Sequence, residues 1–266
     1  KVFNESDAVN YFYEPFLEAF DPELRRDLGV WYTPHEIVRY MVARADTVLR
    51  EELGVEDGLA DPNVYVLDPC CGTGAYLLET LRHIAATLKD KGEGALLAAE
   101  LKKAATQRVF GFEILPAPFV VAQLQIGSLL TQFGAPLTGN NRASIYLTNS
   151  LTGWESTPIQ KALDGFPELK REAEAAAHVK QDAPILVILG NPPYSGFAGT
   201  DMKEEHDITN AYRTTVRAPR PQGQGLNDLY VRFFRMAERR IVEKTGKGIV
   251  CFISNYSWLD GLSHTG

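Results

Sequence analysis

Residues 184 to 196 read Pro184-Ile185-Leu186-Val187-Ile188-Leu189-Gly190-Asn191-Pro192-Pro193-Tyr194-Ser195-Gly196. The run from Ile185 to Leu189 is apolar at every position, the pattern of a strand buried on both faces of a parallel sheet. It stops at Gly190. Pro192 and Pro193 cannot extend it, because proline has no N–H for a ladder and its ring fixes φ. The stretch therefore reads as a rigid turn at the carboxyl end of a central strand, where open α/β sheets bind their ligands. The turn offers an amide side chain, backbone carbonyls and an aromatic ring. Together these suit a flat molecule that carries an amino group.

The flanking sequence repeats the alternation of strand and helix. Short apolar strands are expected at Val64 to Leu67, Val109 to Phe112, Ile145 to Leu147 and Ile249 to Ile253. Helices are expected from about Ala75, over about Gly94 to Thr106, after Glu113 to about Phe133, and over 157–181. A further amphipathic helix runs from Leu226 to Ile241. This order argues a doubly wound α/β sheet. Ahead of it, residues 7–28 carry a helical pattern. A second helix then starts with Thr33 as N-cap, Pro34 at its first position and Glu36 completing a capping box, and ends near Gly54. Residues 195–225 lack periodicity, and a stretch of that length in a compact domain reads as functional or mobile.

Composition narrows the partners. The chain has 266 residues, 45% of them hydrophobic, and a net charge of −7, so no broad phosphate-binding face is expected. Three cysteines, Cys70, Cys71 and Cys251, are too few for a disulfide framework and fit a reducing cytoplasm. There is no zinc spacing, and the histidines at 35, 83, 178, 206 and 264 are scattered, so no metal is assigned. No signal peptide and no apolar stretch of 18 residues is present, and no membrane partner is expected. The chain begins at Lys1 and ends at Gly266, which reads as a piece of something longer. Arg232, Arg235, Arg239 and Arg240 read as a solvated helix face. Lys170, Arg171, Glu172 and Glu174 read as surface i,i+4 pairs.

The turn after the first strand, Asp68-Pro69-Cys70-Cys71-Gly72-Thr73-Gly74, lets a ligand approach the main chain. A dinucleotide fingerprint needs a third glycine at position 77, which is Leu77, and no Gly-Lys-Ser/Thr follows for a P-loop. The acid at its start suits a cationic ligand better than a pyrophosphate. Glu113, at the end of the second strand, can accept hydrogen bonds from both hydroxyls of a ribose. An acid on each of two successive strand ends favours a nucleoside-bearing cofactor.

With Tyr32-Thr33-Pro34 first, the Asp68–Gly74 loop next and Asn191-Pro192-Pro193-Tyr194 later, the chain resembles the class I, Rossmann-like S-adenosylmethionine-dependent methyltransferases. More narrowly it resembles the γ-class N6-adenine DNA methyltransferases. The segments Tyr11 to Pro34 (Tyr11-Phe12-Tyr13-Glu14 through Arg25-Arg26 to Gly29-Val30-Trp31-Tyr32-Thr33-Pro34), Asp228 to Arg235 and Ser254 to Tyr256 are similar to the modification domain of single-polypeptide type ISP and of type I restriction–modification enzymes. The resemblance implies an N-terminal helical module over 1–58 and a catalytic core over 59–266. It also implies that the last strands and the target-recognition domain lie beyond the sequence. Nuclease, helicase and recognition domains in the same longer polypeptide, in a bacterial cytoplasm, are the implied partners, with double-stranded DNA bearing a flipped adenine as substrate.

By the same resemblance, S-adenosylmethionine is held by Tyr32, Thr33, Pro34, Asp68, Pro69, Cys70, Gly72, Gly74, Glu113, Ile114, Asn149 and Ser150. Thr33 helps hold the carboxylate, and Ile114 packs on the adenine ring. Asn149 stands where the family usually has Asp to accept from the adenine amine. Asn191, Pro192, Pro193 and Tyr194 are the catalytic set. The Asn191 side-chain oxygen and the Pro192 carbonyl aim at the two N–H bonds of the target amine, while Tyr194 stacks on the base and Phe197 is a weaker second wall. No Cys follows the strand, which excludes a cytosine-C5 mechanism. A methyltransferase for a protein glutamine or an RNA base shares the turn, and a non-catalytic docking module is a third reading.

Overall fold

The computed structural model describes residues 33–139, 141–154, 167–194, 205, 208–213 and 225–260. The expected helix over 7–28, Tyr32 and Phe197 lie outside them. Five strands form one parallel sheet: β1 (Tyr65–Asp68), β2 (Val109–Glu113), β3 (Ile145–Leu147), β4 (Ile185–Gly190) and β5 (Ile249–Phe252). Their order is β3-β2-β1-β4-β5, so the winding reverses between β1 and β4. Asp68 pairs with Gly111, Leu67 with Ile188, and Gly190 with Phe252.

Alternate side chains along the strands feed two cores. Helices α1 (His35–Glu51), α2 (Ala75–Asp90), α3 (Leu97–Gln107) and α4 (Pro116–Gln132) bury Val42, Leu49, Leu77, Leu81, Leu101 and Ile126 against Val66, Val109, Val187 and Leu189. On the other face α5 (Pro167–Gln181) and α7 (Leu229–Glu238) pack Val179, Phe233 and Met236 on Leu67, Phe112 and Ile188. A short α6 (Asn210–Arg213) precedes α7, a π-helical segment (Arg239–Thr245) extends it, and α8 (Ser257–Asp260) follows β5. The inserted α3 is what carries Glu113 so far from Asp68 in sequence. Buried Arg108 ties the approach to β1 onto the start of β2, donating to the carbonyls of Leu59 (2.9 Å) and Val64 (3.1 Å). No helix among the described residues is long and apolar enough to cross a membrane.

Three local readings change. Helix α1 starts at His35 with Pro34 in the cap position, in extended conformation, and no side chain caps it. Thr33 and Glu36 therefore form no capping box; the Pro34 carbonyl opens the helix by accepting from Ile37 and Val38, and the Thr33 hydroxyl is used across the site instead. Arg232 and Arg240 are buried rather than solvated, and Arg235 pairs with Glu238 (3.1 Å) and Glu243 (2.7 Å). Glu205 faces Arg232, and Asp182, just after α5, is the acid that acts on Arg240. Glu172 is no surface dressing either. Its carboxylate accepts the Leu147 N–H at 2.9 Å and pairs with Arg142, closing one side of edge strand β3.

Candidate active site

The two strands at the reversal, β1 and β4, end in Asp68 and Gly190 and open a crevice between their carboxyl ends. The approach there is close: a Cβ on Gly190 would lie 2.8 Å from Asp68 Oδ1 and 3.3 Å from Cys70 Sγ. Glycine is what lets the turn after β4 sit directly over the acidic one. Beyond Asp68 the chain turns through Gly72 (φ 53°) and Gly74 (φ 92°), values that side-chain-bearing residues rarely adopt. Among the described residues, nothing lies within 4 Å of a Cβ on Gly72.

Asp68 is fully buried. Its Oδ1 accepts the Cys70 N–H at 3.1 Å, while Oδ2 receives no hydrogen bond from the described residues. Burial pushes its carboxyl up to about 7, against the pull of the Cys70 N–H and helped by the nearby Glu113 charge. An unpaired buried carboxylate is costly, and a cationic group of a ligand is the natural remedy. Pro69 and Cys70 shape the turn. The buried Ser150 hydroxyl donates to the Pro69 carbonyl, tying the end of β3 to it.

Glu113 braces the glycine turn. Its Oε2 accepts the Gly72 N–H at 2.9 Å and Oε1 the Leu115 N–H at 2.8 Å. Burial raises its pKa, though the N–H groups of Leu115, Gly72 and Ile114 oppose the rise. These donors do not fill the carboxylate's acceptor positions, so it can also accept from a ligand hydroxyl. Ile114, beside it, is 56% exposed, an apolar surface without cover. Asn149 Oδ1 accepts the Leu151 N–H at 2.9 Å, and its Nδ2 donates to Glu205.

At the proline turn after β4, Asn191 Nδ2 donates to Thr33 Oγ1 at 3.1 Å, and the Tyr194 hydroxyl donates to Asn191 Oδ1 at 3.1 Å. Thr33 thus fixes which end of the Asn191 amide is the acceptor. The Tyr194 ring leans on Tyr230, centroids 6.2 Å apart, and Tyr230 on Phe234 at 6.3 Å. Pro192 is buried and Pro193 half-buried, which holds the turn in place. Hydrogen bonds link Thr33 to Asn191 and Tyr194, Asp68 to Cys70, Gly72 to Glu113, and Ser150 to Pro69, all at the carboxyl ends of β1 to β4 or reaching them. Ile114 joins through its backbone N–H, which acts on Glu113.

Two supporting residues have no motif to announce them. Lys180, at the end of α5, donates to Thr148 Oγ1 (2.8 Å), the Asn149 carbonyl (2.7 Å) and the Thr152 carbonyl (2.9 Å). Gln125 of α4 donates to the Thr73 carbonyl at 3.1 Å. A cation in a helix's last turn is a weak general signal, and nothing in the sequence says which loop it serves.

A winding reversal over paired acids and an amide-bearing proline turn define the methyltransferase kind of parallel α/β fold. A model of the N-6 DNA methylase family matches residues 4–230, and the chain belongs to that family. It is similar to the methylase subunit of the type I restriction enzyme MjaVII of Methanocaldococcus jannaschii, 24% identical over 253 residues, covering 91% of this chain and 33% of that protein. Among solved structures it is similar to the DrdV–DNA complex, with 26% identity, TM-score 0.77, and 99% of this chain and 24% of that one covered. It is likewise similar to the ATP-dependent type ISP restriction–modification enzyme LlaBIII bound to DNA, with 25% identity, TM-score 0.78, and coverage of 98% and 17%. The chain spans a third or less of the length of these relatives.

Proposed function

We propose that this chain is the catalytic part of an enzyme that moves a methyl group from S-adenosylmethionine to the N6 amine of adenine in double-stranded DNA, within a longer restriction–modification polypeptide. The observation that carries the reading is Asn191, oriented by Thr33 and set over the Asp68 turn at the reversal of the sheet. Family membership and likeness to DNA-bound relatives support a DNA base over an RNA base or a protein glutamine.

The residues fit the cofactor. Asp68, with its unpaired buried oxygen, together with Gly72 and Gly74 would hold the ammonium end, with Thr33 near its carboxylate. Tyr32 and Pro34 flank that end in sequence, and Pro69 and Cys70 wall it. Glu113 would take the ribose, and Ile114, Asn149 and Ser150 the adenine end. When bound, S-adenosylmethionine supplies an electrophilic methyl group on a sulfonium. The protein's own part is positioning. The exocyclic nitrogen of adenine is a poor nucleophile because its lone pair is shared with the ring. Asn191 Oδ1 and the Pro192 carbonyl, accepting its two N–H bonds, localise that pair on nitrogen. The flipped base stacks on Tyr194, whose hydroxyl shares Asn191 Oδ1 with the incoming amine. No covalent bond to the protein forms.

With a net charge of −7, the nuclease, helicase and target-recognition parts of the longer polypeptide would supply much of the phosphate contact and the choice of site. Free Cys70, Cys71 and Cys251 suit a bacterial cytoplasm. Replacing Asn191 by Ala tests the central role. Cofactor affinity should stay within about threefold, while methyl transfer falls by about a hundredfold or more, as when an oriented transition-state acceptor is removed. Undiminished turnover in that variant overturns the assignment.

A further inference from the structure

We propose that Glu205 is a positioning residue for the nucleoside end of the cofactor site, turning the Asn149 amide so that its oxygen is the atom offered to a ligand; this rests on the cofactor reading above. The terminal torsion of an Asn side chain has two nearly equivalent settings that exchange oxygen and nitrogen. At Asn149 two partners choose between them. The Leu151 N–H can only donate, and it holds Oδ1 at 2.9 Å. The Glu205 carboxylate can only accept, and it takes Nδ2. The backbone beneath is already fixed, because Lys180 holds the Asn149 carbonyl at 2.7 Å.

Glu205 is itself built in. It is 9% exposed, 56 residues along the chain from Asn149, and Arg232, 5% exposed, brings Nη1 to 3.9 Å from its other oxygen. Two distant segments therefore meet at one amide at the end of β3. Asn149 Oδ1 retains one lone pair after serving Leu151. It can accept from a 6-amino purine and meets a 6-oxo purine oxygen to oxygen. Glu205 thus makes the site selective for the amino form.

The test compares S-adenosylhomocysteine with S-inosylhomocysteine by calorimetry in the full-length protein. Wild type should prefer the adenosyl compound by about tenfold or more, the scale of one well-placed hydrogen bond. In Glu205→Gln the new amide can donate or accept, Asn149 can turn, and the preference should fall to about threefold or less. The double variant Asn149→Asp with Glu205→Gln should regain it, since the aspartate can only accept and the glutamine donates to it. A merely structural role lowers both affinities together and leaves their ratio alone. An unchanged ratio in Glu205→Gln, or no recovery in a double variant that melts like wild type, overturns the proposal. Equal wild-type affinities overturn the proposal and leave the cofactor reading standing, whereas no binding of either compound defeats the cofactor reading and the Glu205 proposal with it.

Discussion

Replacing Asp68 by Asn should remove a pH-dependent weakness from the ligand-free protein. The carboxyl is pushed up to about 7 from an ordinary value of 3.8 by full burial. The folded state therefore holds the proton more tightly than the unfolded chain. Stability falls as pH rises between the two values and stays reduced above the higher one. Between about pH 5 and about pH 8 this one group should cost about 2–3 kcal/mol. At the entropy scale of a chain this size, that is about 5–10 °C in melting temperature. Asn keeps the acceptor for the Cys70 N–H, but its buried amide nitrogen gains no partner, a penalty of about 1–3 kcal/mol at every pH. The informative quantity is therefore the slope, with the constant offset set aside. Thermal melts of wild type and Asp68→Asn across that range should diverge, wild type losing stability towards alkaline pH relative to the variant. Parallel curves would refute the reasoning, since they would mean that Asp68 ionises at no cost. The same variant should bind the cofactor poorly, having lost the charge that meets its ammonium.

Two further outcomes follow from the geometry. Tyr194→Phe keeps the ring against Tyr230 and loses only the hydroxyl bond to Asn191. Its methylation rate should stay within about threefold of wild type, whereas Tyr194→Ala should weaken DNA use by about 1–3 kcal/mol, the worth of one stacked base; equal losses in the two would deny the ring its role. Gly190→Ala would place a methyl 2.8 Å from Asp68 Oδ1. The forced shift of the acidic turn should cost about 1–3 kcal/mol of stability and weaken cofactor binding, measured by melting and calorimetry; a variant with normal affinity would show that the two turns move independently.

The architecture was legible because its strands are short apolar runs closed by turn-forming residues. Ile185 to Leu189 announced a central strand, and β4 lies between β1 and β5. Asp68 and Glu113 could be placed on neighbouring strand ends by counting strands alone. What the sequence hid was mostly long-range pairing. Thr33 looked like a helix cap, since a local rule explained it fully; its partner Asn191 stands 158 residues away. Glu172 and Arg232 looked like surface charges because helical periodicity reports which face a residue shares, and says nothing of a distant backbone N–H or acid that draws it inward. Glu205 lies in a stretch without periodicity, so only the fold brings it to Asn149.

The most direct measurement gives the full-length protein DNA together with S-adenosylmethionine carrying a labelled methyl group, then digests the DNA to nucleosides. The label should appear in N6-methyldeoxyadenosine and be lost in Asn191→Ala. Label in a methylated cytosine, or in protein or RNA added alongside while the DNA stays unlabelled, would contradict adenine methylation at the Asn191-Pro192-Pro193-Tyr194 turn.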